Sequence, residues 1–169
     1  VFQSIPVGKD EASLLGQFLA EHDFAANTRK AVIGDLRKFA RWFSMANNEP
    51  FVISRVTVRD VAHFREQGRR NHLWSGSAIN RCLVMLRRFF GWLNQNGHLP
   101  ANPAKPVKEL RQQMLAPKGL SRAEVRRLLR EVELRQDVRA AAIFSLFLYT
   151  GCRVGDLVAL GLHDIVLSD

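Results

Sequence analysis

Ser77-Ala78-Ile79-Asn80-Arg81-Cys82-Leu83-Val84-Met85-Leu86-Arg87-Arg88-Phe89-Phe90-Gly91-Trp92-Leu93-Asn94-Gln95-Asn96 decides the fold class. Ile79, Leu83, Leu86, Phe90 and Leu93 recur at steps of four, three, four and three, the period of one apolar helix face. Ser77, Arg81 and Arg88 stack on the far side, with Asn80 and Arg87 flanking that row. Ser75 or Ser77 can accept an orphan backbone N–H at the start, and Gly97 is placed to end the helix. A helix with a single apolar stripe needs other helices to cover it.

Those helices lie upstream. From Asn27 to Met45, Val32, Leu36, Phe39 and Phe43 repeat the apolar stripe, while Lys30, Arg37 and Arg41 point outward with Lys38 alongside. Asn27 or Thr28 is the expected N-cap. A shorter helix spans Asp10 to His22, burying Leu14, Leu15, Phe18 and Leu19. Another follows Thr57 and carries Val58, Val61, Ala62 and Phe64 to about Gln67, where Gly68 and the polar Arg69–Gly76 stretch close it. No segment alternates with a strand period, so the expectation is all-α: a four-helix bundle over residues 1–104.

Charge gives the bundle a direction. The chain holds 25 Lys and Arg against 16 Asp and Glu, a net +9, which suits a polyanionic partner. Between Glu66 and Glu109 there is no acid, yet Arg69, Arg70, Arg81, Arg87, Arg88, Lys105 and Lys108 fall inside. Mixed signs normally limit self-repulsion, so this stretch implies a counter-charge from outside the chain. Duplex DNA fits two amphipathic helices with basic outer rows; Thr28, Lys30, Arg37, Lys38, Arg41, Ser75, Ser77, Asn80, Arg81, Arg87 and Arg88 are the candidate contacts. A membrane surface fits less well, because both helices need a protein core and Trp42 and Trp92 lie beside it. No apolar run approaches the roughly 18 residues that span a bilayer. Cys82 and Cys152 are too few for a disulfide framework or a zinc site. They suit a reducing, cytoplasmic compartment, and no metal or cofactor is expected.

Three prolines, Pro100, Pro103 and Pro106, then forbid a continuous helix, and Pro117 and Gly119 punctuate again. Residues 105–119 therefore read as a basic interdomain link whose Lys105, Lys108 and Lys118 can run along phosphates. A second unit, 120–169, begins with a capping box, Ser121 and Glu124. Val125, Leu128, Leu129 and Val132 face inward there. Val138 to Tyr149 is nearly all apolar and reads as a buried central helix, with Tyr149 in the core and Gly151 as terminator.

Arg153 follows that glycine and opens the next helix, a poor place for a cation because it faces the positive end of the dipole. Two readings stand. An anion lies between the helix N–H groups and the guanidinium fork, or Asp156 forms a local ion pair with Arg153.

The run Leu148-Tyr149-Thr150-Gly151-Cys152-Arg153-Val154-Gly155-Asp156-Leu157 resembles the first catalytic-arginine motif of the tyrosine recombinases, the family of phage integrases and chromosome-dimer resolvases. Asn27-Thr28 with Asp35-Leu36 and Trp42, Arg87 through Leu93, Asn102-Pro103-Ala104, and Leu120-Ser121 to Leu129 resemble other parts of the family pattern in the same order. The resemblance implies a SAM-like core-binding domain, a linker, and the first helices of a truncated mixed α/β catalytic domain. It implies double-stranded DNA as partner, with other recombinase protomers in a tetrameric synapse, and places the first helix where a neighbour can reach it.

It also assigns Arg153 to the scissile phosphate, with Asp156, where the family usually has glutamate, in support. The implied chemistry is metal-free: a tyrosine attacks the phosphodiester, forming a 3′-phosphotyrosyl link that a 5′-hydroxyl later reverses. The family's hairpin lysine, histidine–arginine pair and nucleophilic tyrosine are not matched up to Asp169, so this chain alone is expected not to cut DNA. The alternative is a non-catalytic DNA-binding regulator derived from a degenerate recombinase. A helical protein binding an acidic partner protein is a further reading.

Overall fold

The computed structural model describes residues 9–71, 73–111 and 119–165. The chain divides between residues 114 and 115 into two compact units. Among the described residues every regular element is a helix, and no helix is long and apolar enough to cross a membrane.

The first unit contains α1 (Lys9–Glu21), α2 (Ala26–Asn47), a 3-10 turn at Ile53–Arg55, α3 (Val58–Arg70) and α4 (Gly76–Gln95). α4 packs on both α2 and α3, which also meet each other. The two apolar stripes legible in the sequence meet in the middle: Val32, Phe39, Phe43, Ile79, Leu83, Leu86, Phe90 and Leu93 are all 1% exposed or less. Phe39 is central, meeting Phe64 edge-on at 5.3 Å and Phe90 at 6.3 Å. Burying each such ring contributes about 1.5–3 kcal/mol. α1 closes the bundle with Leu15, Phe18 and Leu19, the Phe18 ring standing edge-on to Phe89 at 5.1 Å.

The helix ends differ from expectation in instructive ways. α2 starts at Ala26, with Ala25 in the cap position and no side-chain cap. Asn27 and Thr28 therefore lie in the exposed first turn rather than before it, while Arg29 ties that turn to the Leu19 carbonyl. α3 does not stop at Gln67: Gly68 is buried inside it, because the Trp74 ring closes over that position and a Cβ there would sit 2.9 Å from the ring. Thr57 does cap α3, sharing a capping box with Asp60, and Ser75 caps α4. Gly97 adopts φ 74 just beyond α4, the left-handed conformation glycine tolerates.

The segment after α4 is strapped to the bundle as far as Leu110. Leu99, Ala104 and Val107 enter the core. The Asn102 amide donates to the Arg87 carbonyl at 2.8 Å, and Arg87 in turn donates to the Val107 carbonyl at 2.6 Å. Arg65 donates to the Lys108 carbonyl at 2.8 Å. Proline denies this stretch a helix, so its carbonyls are satisfied by side chains instead. The extended link expected from residue 105 is, over this part, a fixed edge of the bundle.

The second unit contains α5 (Arg122–Leu134), α6 (Val138–Thr150), α7 (Val154–Ala159) and a 3-10 turn at Leu162–Asp164. Ser121 and Glu124 form the expected capping box, Asp137 caps α6, and Gly151 ends it at φ 65. α5 and α6 pack together, and Val132 is buried between them. The expectation of a buried central helix is corrected. No residue of α6 is buried, Leu148 is 49% exposed and Tyr149 84% exposed. Among the described residues α6 packs on α5, which leaves the middle of this apolar helix half-buried and its two ends exposed.

Candidate nucleic-acid interface and arginine site

The acid-free stretch is not free of counter-charge, which corrects the sequence expectation. The fold brings carboxylates onto it from its edges and from α2. Arg69 and Arg70 reach Glu66 at 3.0 and 4.0 Å, and Arg87 reaches Glu109 at 2.6 Å. The Arg69 bond is the main cause holding the Glu66 carboxyl below its usual range. Arg81 meets Asp35 side-on, its Nε and Nη2 donating to the two carboxylate oxygens at 2.8 and 2.9 Å. Those bonds raise the Arg81 pKa further, so it is always charged. Lys38 lies 3.5 Å from the same carboxylate, with its ammonium 5.5 Å from the centre of the Trp74 ring.

Asp35 is the residue that sequence reading leaves without a role. It is 2% exposed at the α2–α4 contact, and its main-chain carbonyl accepts the Cys82 thiol at 3.3 Å. A signal was available: an acid inside an apolar stripe must have a partner when buried. Burial, reinforced by the Asp35 charge, pushes the Cys82 thiol up to about 12, so it is a neutral core group.

The candidate DNA contacts separate into three kinds. Thr28, Lys30, Arg41, Ser77, Lys105 and Lys108 are exposed, and the four cations among them have no carboxylate in reach among the described residues. Arg88 is exposed with its guanidinium 4.6 Å from the centre of the Phe24 ring, which leaves its charge available. Lys38, Arg81 and Arg87 are held in contacts within the unit, and Arg37 is also engaged. Two candidates are structural. Asn80 is 7% exposed with its amide engaged by Leu110, and the Ser75 hydroxyl accepts the Ala78 N–H as a helix cap. Lys118 lies outside the described residues. An open groove of about 790 Å³ runs beside α2, lined by Arg37, Lys38, Arg41, Trp42, Gln67 and Trp74, with the Trp42 indole donating to Gln67.

In the second unit Thr150 and Gly151 turn the chain so that Arg153 precedes α7 in extended conformation, at φ −79 and ψ 154. The Thr150 hydroxyl donates to the Leu146 carbonyl at 2.6 Å and accepts the Cys152 N–H at 3.2 Å, which fixes the turn. Asp156 accepts the Arg153 backbone N–H at 3.0 Å. Of the two readings of the pair, the ion pair is not formed: Asp156 holds the main chain of Arg153, and the guanidinium is exposed and unpaired among the described residues. With six residues, α7 has only a small dipole, so of the two groups at this turn the guanidinium is the stronger candidate for holding an anion.

No family model matches the chain, and no solved structure matches it significantly. Curated proteins do. The chain is 28% identical over 154 residues to the tyrosine recombinase XerD of Listeria monocytogenes, covering 88% of this chain and 50% of that protein. It is 30% identical over 151 residues to the tyrosine recombinase XerC of Roseiflexus, covering 87% and 47%. It is 36% identical over 120 residues to the XerC of Vibrio cholerae, covering 67% and 37%. The chain thus spans half or less of the length of these relatives. The helical bundle, the Thr150–Asp156 turn and these relatives agree, and the chain belongs to the tyrosine recombinases.

Proposed function

We propose that this chain is the DNA-gripping portion of a site-specific recombinase that breaks and rejoins DNA through a 3′-phosphotyrosyl intermediate. The first unit, residues 1–104 with the strap that follows, tracks the phosphate backbone through Lys30, Arg41, Arg88, Lys105 and Lys108. The second unit, residues 120–169, delivers Arg153 to the scissile phosphate. There its fork holds the non-bridging oxygens and stabilises the charge that builds as a tyrosine attacks. Asp156 fixes the backbone from which that guanidinium projects. The observation that carries this reading is the Arg153 guanidinium, unpaired among the described residues, beside a carboxylate already engaged with the main chain.

The nucleophile is a different matter. Tyr149 is the chain's one tyrosine, and it sits at the end of α6, ahead of the arginine turn. The family's nucleophilic tyrosine follows the arginine motif, so Tyr149 does not correspond to it. This chain therefore binds duplex DNA without cutting it, and cleavage belongs to a protein that also carries the later family residues and assembles with other protomers on DNA.

The test is a salt titration on duplex DNA by fluorescence anisotropy, together with a denaturing gel for covalent adducts. Binding that falls steeply and log-linearly with salt, with no adduct, is expected. Binding that ignores salt overturns the reading.

A further inference from the structure

The Arg81–Asp35 pair does more than hold α2 to α4, an inference that rests on α4 lying against duplex DNA. A guanidinium has five N–H donors, and two of them, on Nε and Nη2, are taken by Asp35. The two on Nη1 and the second on Nη2 have no protein partner among the described residues. They form the end of the fork, directed away from Asp35. The Arg81 side chain is 62% exposed while the Asp35 side chain is 3% exposed, so a solvent-facing fork stands on a buried support. Its rotamer is fixed before any ligand arrives, which lowers the entropic cost of using it.

Charge separates the two ligands such a fork could take. A phosphate is drawn to uncompensated positive charge, and the buried carboxylate behind Arg81, shared with Lys38, offsets part of that attraction. Directional donors remain, aimed outward from a cluster of two cations and one carboxylate. A neutral surface with two adjacent acceptors suits them better, and the guanine edge in the major groove offers O6 and N7 in that arrangement. The neighbours on this face agree. Ser77, four residues before, is exposed and presents a hydroxyl, and Val84, three residues after, is 50% exposed and presents methyl groups. Both are chemistries that meet base edges. Asn80, the other residue type suited to reading a base, is engaged with Leu110.

We propose that Arg81, braced by Asp35, reads one guanine through its O6 and N7 atoms and so sets sequence preference at that position. The test selects duplexes from a randomised library with the full chain, then with Arg81→Lys. Lysine keeps a cation beside Asp35 but loses the fork, and a thermal melt verifies that the variant folds. Enriched duplexes are expected to share a guanine whose replacement by 7-deazaguanine weakens binding about tenfold. With Arg81→Lys the preference at that position alone disappears, and the 7-deazaguanine replacement has no further effect.

The guanine assignment is overturned if wild type shows no such position. It is equally overturned if Arg81→Lys leaves the preference in place, or if Arg81→Ala weakens every duplex alike and flattens the salt dependence by about one unit, the mark of a phosphate contact. Each of these results leaves DNA binding in place. A wild-type chain with no salt-dependent affinity for duplex DNA removes the broader reading, and this one with it.

Discussion

The Asn80 amide holds the Leu110 peptide at both ends, its Nδ2 donating to the carbonyl and its Oδ1 accepting the N–H, each at 2.8 Å. This is the two-way bond of a strand pair, made by a side chain on α4 and a segment with no helix of its own. Asn80→Ala leaves both peptide groups unmatched and should destabilise the first unit by about 1–3 kcal/mol. Urea unfolding should show a lower midpoint, while the salt slope of DNA binding in the folded state stays unchanged. A changed slope with unchanged stability would place Asn80 on the DNA after all.

Arg153 should behave as a phosphate contact and not as a structural one. Arg153→Ala is expected to leave the melting temperature within about a degree, since the side chain is exposed and unpaired among the described residues. The salt slope should become shallower by about one unit, and Arg153→Lys should restore it. Asp156→Ala should act differently, loosening the start of α7 through loss of the bond to the Arg153 backbone. Amide exchange at Arg153 reads that directly.

The exposed cations and the paired ones should separate in a salt series. Replacing Lys105 and Lys108 together, or Lys30 and Arg41 together, should flatten the dependence by about one unit per lost phosphate contact. Replacing Arg87 should chiefly cost stability, because it holds the strap through the Val107 carbonyl and Glu109. Equal effects on slope from both classes would sink the distinction.

Cys82 and Cys152 should differ in reactivity. Burial raises the Cys82 thiol from 9.0 to about 12, so native protein at pH 8 should expose one thiol to a chromogenic disulfide reagent, and unfolded protein two. The sign of the pH effect follows. The folded pKa lies above the unfolded one, so the thiol's contribution is fully present below about pH 9. It is lost as the pH climbs toward 12, and Cys82→Ala should remove that part of the alkaline decline.

Periodicity made the bundle legible. The stripes of Asn27–Met45 and Ser77–Asn96 needed no partner to be recognised, since a helix face is a local property. Three features depended on what lies outside the helix that carries them. Arg81 looked free because the carboxylate that braces it is 46 residues away. Gly68 looked like a terminator because only Trp74 reveals why the position must be small. Tyr149 looked buried because an apolar run signals that a helix wants covering, without saying what covers it. The Arg153 turn was legible as a motif, but only the structure separates an ion pair from a carboxylate on the backbone.

Gly68 has reach well past its own turn. Its missing methyl lets the Trp74 ring settle against α3, and that ring's face is where the Lys38 ammonium rests. One extra carbon on α3 would lever the indole outward and unseat a positive charge on α2. The electrostatic texture of the groove is thereby tuned by a position that bears no charge and touches no ligand.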